Sequence, residues 1–370
     1  MRRLLVLALV AAVFAGCSKK TEPVRRDTYV YEPIRIVSAY IPLIEKPDAR
    51  RALLVGDEAR ALTNYLSNAG IACSSSLGGK FDLIYVSCGG MSKASCGKLC
   101  ASLAEDGVVA WLMDVEGVTA KEMLANFQGF ALDDVHLWMP GERRWLLVGR
   151  NKPRKIRLSE MLDVFVRERA FEDLAKARCG TLPEMFANYV GTANDVVPAF
   201  FQMAKDEKMQ PELFVTEEVP KIDWIDPEGL DDDIRRSVLA EIRSMQVVRR
   251  LALKGAMQVK TVKDKQGEEA VAEIFARVAT RNPNELFVLE RMDRLERNAR
   301  GFLEVGKILM ALKCYETMVL ICPENAAAVH NFGMCLKKIG KLDLSEKVLE
   351  RARMLAARKE EKGDAKRPAR

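Results

Sequence analysis

Histidine and cysteine are the side chains with the widest chemical scope in this chain, and both are scattered. The only two histidines among the 370 residues, His136 and His330, lie far apart and in different predicted units. Zinc sites and general acid–base sites draw on histidines that are brought close together. The sequence therefore excludes a histidine-rich metal site and leaves histidine catalysis little material. We expect no bound metal.

The cysteines do not show metal-site spacing either. Apart from Cys17, eight remain, an even number that permits disulfides in an exported protein without assigning them. Cys96 and Cys100 are spaced CxxxC on a predicted helix, and no second pair accompanies them, so zinc is not expected. Three more fall at apolar positions of predicted helices, as small core residues do: Cys314, Cys322 and Cys335.

An acidic triplet at residues 231–233 could suggest a cation site. It directly precedes a predicted helix, where acidic side chains interact favourably with the helix dipole. We interpret the triplet as the start of that helix and not as metal ligands.

Length and composition indicate a folded protein of several domains. At about 150 residues per domain, the chain predicts two or three domains. Hydrophobic residues make up 49% and charged residues 30%, which excludes overall disorder and a multi-span membrane protein. The formal net charge of +6 is too small to predict nucleic-acid binding.

The N-terminus has the order of an export signal. Two arginines precede an apolar run from Leu4 to Ala15 that is too short for a permanent span. Phe14-Ala15-Gly16-Cys17 resembles the lipobox of bacterial lipoproteins, which implies cleavage of residues 1–16 and lipidation of Cys17. Residues 17–34 then form the lipidated N-terminus and a polar tether. The alternatives are an ordinary signal peptide with an incidental cysteine, or a short anchor helix.

The residue that follows Cys17 is Ser18. In the lipoprotein family, a residue other than Asp at that position usually permits sorting to an outer membrane. The resemblance therefore implies an exported protein, anchored by lipid to a bacterial membrane and facing the periplasm from the outer membrane.

Residues 51–150 alternate between predicted strands and helices. Continuous apolar strands at 52–56, 81–87 and 107–114 are separated by helical segments. Such a pattern predicts a mostly parallel sheet covered on both faces, which is an α/β fold. A probable antiparallel pair around Pro140-Gly141 closes the region, as in folds of the class I methyltransferase type.

Several segments, in this order, resemble spermidine synthase-like proteins. Residues 38–56 are similar to the entry into that family's Rossmann domain, and residues 81–90 to its second signature strand. Residues 136–151 resemble the closing hairpin of the larger, fused forms, and residues 194–198 with 211–215 resemble their final segment. The resemblance implies a truncated Rossmann-like, methyltransferase-like domain at 35–155, with a helical and loop extension at 156–229.

The residues that the family uses for chemistry are mostly replaced. A nucleoside cofactor needs a glycine-rich turn after the first strand and an acid after the second, but bulky residues follow Gly56 and strand two ends in serines. In the family, two aspartates bind and deprotonate the amine, and the matching positions here are Ser87 and Gly90, which have no titratable side chain. We expect no catalytic residue and no cofactor. The nearest acids, Asp82 and Asp114, are interpreted as strand-edge residues, with a relocated base as the alternative.

Residues 230–358 predict paired helices. Asn331 to Leu355 fill most small and apolar positions of a 34-residue unit that resembles the tetratricopeptide repeat, and Ala299 to Pro323 fit a preceding unit. An all-α tetratricopeptide array is therefore expected, with a generic array of helical hairpins as the alternative. Residues 359–370 have almost no apolar side chains and predict a disordered tail.

Stacked repeats leave a concave groove that can bind a partner. The resemblance assigns six residues to this groove: Glu296, Arg300, Leu303, His330, Met334 and Lys337. The expected function is a non-catalytic, lipid-anchored scaffold that binds an envelope protein, with a pseudoenzyme domain as its support. The alternatives are a residual aminopropyl- or methyltransferase and a polyamine or small-cation binding protein.

Overall fold

The computed structural model describes residues 32–141, 143–177, 179–205, 222–226, 228, 230–261, 265–282 and 285–364. These residues form two compact units that divide between Arg250 and Leu251. The predicted signal peptide, Cys17, most of the tether and residues 211–215 lie outside the described residues.

The first unit is a mixed α/β domain. Its seven-stranded sheet contains β1 (Arg51–Val55), β2 (Ala72–Ser74), β3 (Phe81–Ser87), β4 (Leu103–Asp114), β5 (Asp134–Trp138), β6 (Arg144–Arg150) and β8 (Tyr189–Thr192). Two short strands, β7 (Ile156–Arg157) and β9 (Ile225–Asp226), form a separate parallel pair.

The helices of this unit are mostly short. They are α1 (Glu32–Glu45), α2 (Asp57–Arg60), α3 (Thr63–Asn68), α4 (Lys93–Cys100), α5 (Ala120–Gly129), α6 (Leu158–Val166), α7 (Glu168–Lys176), α8 (Leu182–Phe186) and α9 (Ala193–Lys205). Helix α1 is the most buried of them, because nearly every residue after Glu32 is covered.

The strand order of the large sheet is β2-β1-β3-β4-β6-β5-β8. Strands β1, β2, β3 and β4 pair with one another in parallel, whereas β4–β6, β6–β5 and β5–β8 pair in antiparallel fashion. Most apolar residues of β1, β3 and β4 are buried, as expected for strands covered on both faces. The α/β fold and the closing hairpin are confirmed.

Three details of the first unit differ from the sequence-based expectation. The sheet is only partly parallel, because β8 adds a further antiparallel strand that the apolar pattern did not indicate. The segment 57–70 breaks into α2 and α3, and β4 begins at Leu103, four residues before the expected strand. Gly107 interrupts the apolar run there, and its neighbours Glu105 and Asp106 are polar.

The second part of the chain is entirely helical and stacked. It contains α10 (Asp232–Thr261), α11 (Lys265–Arg281), α12 (Leu286–Glu304), α13 (Ile308–Ile321), α14 (Ala326–Lys338) and α15 (Leu342–Asp364). The acidic residues 231–233 lie at the start of α10, as expected. Helix α15 continues to Asp364, past the expected start of the tail at Lys359.

The last four helices repeat one geometry. The turns after α12 and α14 contain Gly306 and Gly340, which lie 34 residues apart and have left-handed φ values of 72° and 81°. Glycine adopts this conformation without the steric cost that other residues meet. The ends of α12 and α14 and the starts of α13 and α15 are also 34 residues apart.

Close packing joins the two helices of the last pair. The Ser345 hydroxyl donates a hydrogen bond to the Gly333 carbonyl at 2.9 Å. A methyl group at Gly333 would lie 2.9 Å from the side chain of Leu349, so glycine permits this approach of α14 to α15.

Candidate functional site

The carboxyl ends of the parallel strands are where an α/β fold of this kind would hold a cofactor. At this edge the turn after β1 packs directly on the end of β3. A Cβ atom at Gly56 would lie 2.3 Å from the Ser87 carbonyl oxygen and 2.4 Å from its hydroxyl. The Ala59 amide donates to that hydroxyl at 3.1 Å. Ser87 thus fills the approach beside Gly56, and these residues do not fit a nucleoside cofactor there.

The acids of the sheet are held by other groups of the protein. Asp82 accepts hydrogen bonds from the backbone amides of Arg50 and Arg51 at 2.8 and 2.9 Å, which joins β3 to the start of β1. Asp114 accepts from the Glu116 amide at 3.0 Å. Both residues therefore have structural contacts at strand ends. These contacts agree with their interpretation as strand-edge residues.

At the carboxyl ends of the parallel strands, a protein side chain already supplies a positive charge beside two acidic residues. The Arg144 guanidinium lies 3.3 Å from Glu58 and 3.9 Å from Asp114. The Arg144 side chain is largely buried, with 17% of its surface exposed. An ammonium ligand at these carboxylates would have to compete with a guanidinium that is fixed by the fold.

A buried network of charges lies on the sheet near the other ends of the parallel strands. Glu45, the last residue of α1, accepts from Trp138 Nε1 at 2.7 Å, lies 2.9 Å from His136 Nδ1 and accepts from Arg150. Asp134 lies 3.4 Å from both His136 Nε2 and Arg150 Nε. The Glu45, His136 and Arg150 side chains are all at most 4% exposed.

The network has balanced charge when His136 is protonated. Burial opposes the charged imidazole, but the carboxylates of Glu45 and Asp134 outweigh it and raise the pKa of His136 to about 9. Burial also opposes ionisation of Asp134, and the His136 and Arg150 charges outweigh it and lower that carboxyl's pKa. Two anions therefore face two cations at neutral pH.

Aromatic rings exclude water from this network. Trp224 lies against the His136 ring with centroids 4.6 Å apart, and Tyr189 meets its edge at 5.7 Å. Trp224 Nε1 donates to the Tyr189 hydroxyl at 3.1 Å. Burial raises the pKa of Tyr189 well above its usual value. Because its side chains are almost fully buried beneath these rings, the network has the character of a structural element.

The six groove residues lie on two helices. On α12, Arg300 donates to Glu296 at 2.5 Å, and the Arg300 side chain is exposed. On α14, His330, Met334 and Lys337 are all exposed and share one face by their helical spacing. Leu303 is half-buried near the end of α12. The predicted groove residues are thus accessible or partly accessible, with mixed charge.

A separate recess of about 300 Å³ lies among α11, α12 and α13. Its lining is largely apolar and includes Val271, Ala272, Phe275, Leu295 and Ile321. Glu268 and Lys313, 2.6 Å apart, also line it and neutralise each other. Its volume lies at the lower limit for small-molecule sites.

The described ranges contain neither a metal-binding cluster nor a membrane-spanning helix. No group of three or more histidine, cysteine or acidic side chains in them could hold a metal ion. None of the helices in that part of the chain is both long enough and apolar enough to cross a bilayer.

Sequence reasoning missed the buried charge network. Its signal was weak, because Glu45 and Arg150 each stand at the end of an apolar run, where a charged residue usually marks the surface. The CxxxC pair is visible in the sequence, and the structure places its sulfurs 3.9 Å apart.

Comparison with protein-family models, with curated proteins and with solved structures found no match to this chain.

Proposed function

We propose that this chain is a non-catalytic, lipid-anchored scaffold of the bacterial envelope that binds another envelope protein through tetratricopeptide-like helices. The proposal rests chiefly on one observation, the 34-residue offset shared by the turns and helix ends of α12–α13 and α14–α15. A helix pair of this kind buries its apolar face only by stacking, and the stacked array presents an extended surface for a partner.

The packing at Gly56 and Ser87 favours a scaffold over an aminopropyl- or methyltransferase. Ser87 offers no general base, and its carbonyl and hydroxyl occupy the approach that a nucleoside cofactor would need. The position of Arg144 beside Glu58 and Asp114 disfavours a polyamine site for the same region. Titration calorimetry with adenosylmethionine, decarboxylated adenosylmethionine and spermidine tests both rivals, and micromolar binding of a nucleoside ligand would restore the enzyme hypothesis.

The groove is tested by reversing its two exposed cations. We expect Arg300→Glu combined with Lys337→Glu to abolish capture of the partner, because both charges lie on the proposed binding face. The free energy of unfolding should change little, by about 0.5 kcal/mol per exposed site. Capture is measured by photo-crosslinking from position 334 in intact cells, followed by mass spectrometry of the adducts.

A matched control places the same charge change on another surface. Lys347→Glu with Arg353→Glu also reverses two exposed cations, and Arg353 pairs with Glu350 at 2.6 Å much as Arg300 pairs with Glu296. The control should keep the partner. If the groove variant retains every adduct of the wild type, the groove assignment is wrong.

A third variant separates folding from binding. Gly333→Leu would force a side chain into the contact with Leu349, and overpacking of this kind costs about 1–3 kcal/mol. We expect this variant to lose partner capture together with helical circular dichroism. The groove variant should lose capture alone.

The lipid anchor is tested at Cys17, which lies outside the described residues. We expect Cys17→Ser to leave the chain as an unprocessed or misrouted precursor, because no thiol remains to accept the diacylglyceryl group. Metabolic labelling with a palmitate analogue measures the modification directly. Equal label on wild type and variant would contradict the anchor.

A further inference from the structure

Two thiols lie side by side on the two-turn helix α4. The sulfurs of Cys96 and Cys100 are 3.9 Å apart and share a hydrogen bond. Cys96 is fully buried, whereas Cys100 is partly exposed at the last residue of the helix. The pair therefore combines an accessible sulfur with a protected one at contact distance.

The two thiols are chemically different. The pKa of Cys100 is lowered by its hydrogen bond with Cys96. The pKa of Cys96 is raised by the same hydrogen bond and by its burial. The thiolate is the attacking form of cysteine. Cys100 is also the more exposed sulfur, so its exposure and its lowered pKa both favour Cys100 as the attacking group.

The helix that carries the pair can open locally. A disulfide needs Cβ atoms about 3.5–4.5 Å apart, closer than the roughly 5–6 Å of residues four apart in a helix. Gly97 lies between the two cysteines and weakens the helix by about 1 kcal/mol relative to alanine. The last turn ends at Cys100, so a rearrangement of that turn would bring the sulfurs together.

We propose that Cys96 and Cys100 form a dithiol that undergoes reversible exchange with a disulfide co-reactant, either of low molecular weight or of a protein. The Cys100 thiolate attacks one sulfur of the co-reactant, forms a mixed disulfide and releases the first thiolate. Cys96 then gives up its proton and attacks the Cys100 sulfur, which releases the second thiolate. The two cysteines lose two electrons and two protons, and the co-reactant gains the electrons as two thiols.

A disulfide between Cys96 and Cys100 would strain the last turn of α4, and this strain predicts an exchange site and not a permanent cross-link. A disulfide held in a distorted helical turn is reduced more easily than an unstrained one. The oxidised pair should therefore revert when the surrounding thiol pool is reducing.

The chain offers a direct readout of the cross-link. Trypsin cleaves after Lys93, Lys98 and Lys121, so Cys96 and Cys100 fall on separate peptides, 94–98 and 99–121. The intact chain is incubated with oxidised glutathione, quenched with acid, alkylated and digested. We expect the two peptides to appear joined by a disulfide, and to separate again after incubation with reduced glutathione.

Single variants assign the two roles. Cys96→Ser should trap glutathione on Cys100, because no resolving thiol remains, whereas Cys100→Ser should leave Cys96 unmodified inside the fold. Cys96→Ala provides a second test in case serine is not tolerated at the buried position. At pH 7, Cys100 of the wild type should react with iodoacetamide at least about tenfold faster than Cys322, whose pKa is raised by burial.

Two results would overturn the proposal. One is the absence of the linked peptides while Cys100 of the wild type accumulates glutathione as fully as it does in Cys96→Ser. The other is equal modification of Cys96 in Cys100→Ser, which would make the buried thiol the attacking group. Either result leaves the helical groove and its partner unaffected.

Discussion

Replacing Glu45 with glutamine is expected to lower the free energy of unfolding of the α/β unit by about 3–5 kcal/mol. Glu45 is the shared acceptor for Trp138, His136 and Arg150 in the buried network. An amide of the same shape keeps one acceptor but removes the charge, and leaves Arg150 without its closest anion. An uncompensated charge in a buried site is among the most costly changes a fold can undergo.

The measurement can be confined to the unit that carries the change. All four tryptophans, Trp111, Trp138, Trp145 and Trp224, belong to the first unit. Tryptophan fluorescence, excited at a wavelength that tyrosine does not absorb, therefore follows the α/β unit during urea denaturation and does not report on the helical one. Two-state analysis is then applied to one cooperative transition.

An exposed ion pair supplies the control for Glu45. Glu105 lies 3.3 Å from Lys152, and both side chains are largely exposed. Glu105→Gln should change the unfolding free energy by no more than about 0.5 kcal/mol, because exposed pairs contribute little. A loss below about 1 kcal/mol for Glu45→Gln would mean that the network does not stabilise the domain as we describe.

The stability of the same unit should fall with rising pH through the titration of His136. The folded state holds this imidazole protonated up to a pKa of about 9, against about 6.5 when unfolded. The stabilisation is therefore complete below pH 6.5 and is lost as pH rises toward 9. Within this window the native state binds one more proton, so the unfolding free energy should drop by about 1.4 kcal/mol per pH unit.

The charged and titratable groups around His136 determine how the pH dependence of the unfolding free energy is interpreted. It faces Glu45 from α1, Asp134 from its own strand and Tyr189 from β8, and Arg150 of β6 joins the same carboxylates. Cys100 of the same unit has a lowered pKa, and it titrates in wild type and variant alike. The slope is therefore read as the difference between the fluorescence-detected urea curves of wild type and His136→Gln over about pH 6.5 to 8.5. His136→Gln should lack the drop of about 1.4 kcal/mol per pH unit that His136 contributes. If wild type and His136→Gln show the same slope, His136 is not the titrating group.

The sequence predicted the elements of the α/β unit better than their partners. The apolar runs of β1, β3 and the second part of β4 are continuous. Strands β1 and β3 were located to within one residue, and the start of β4 was placed four residues too late. The four-residue strand β8 alternates buried and half-buried positions over too few residues to give a signal, and it is defined by its pairing with β5. The edge strands of a sheet are defined by pairing between segments that are far apart in the chain. The pattern of apolar residues within one segment does not show that pairing.

The helical region was easier to predict because its signal is periodic. Small residues recur at a fixed interval, Ala299 with Gly333 and Gly306 with Gly340, and the turns of the structure fall at Gly306 and Gly340. The buried network had no comparable signal. It brings Glu45 together with Asp134, His136 and Arg150, which are about 90 or more residues away in the chain, and only the folded sheet creates that proximity.

The contact between Gly56 and Ser87 also bears on how this sequence can change over evolutionary time. Ser87→Asp would add a carboxylate to a position already closed by the turn after β1. Opening that turn alone would remove the Ala59 amide's partner without supplying a base. Each step is unfavourable without the other, so the two segments must change together. An epistatic barrier therefore separates the present packing from any variant with an acid at the end of β3, and drift by single substitutions favours the packing that exists.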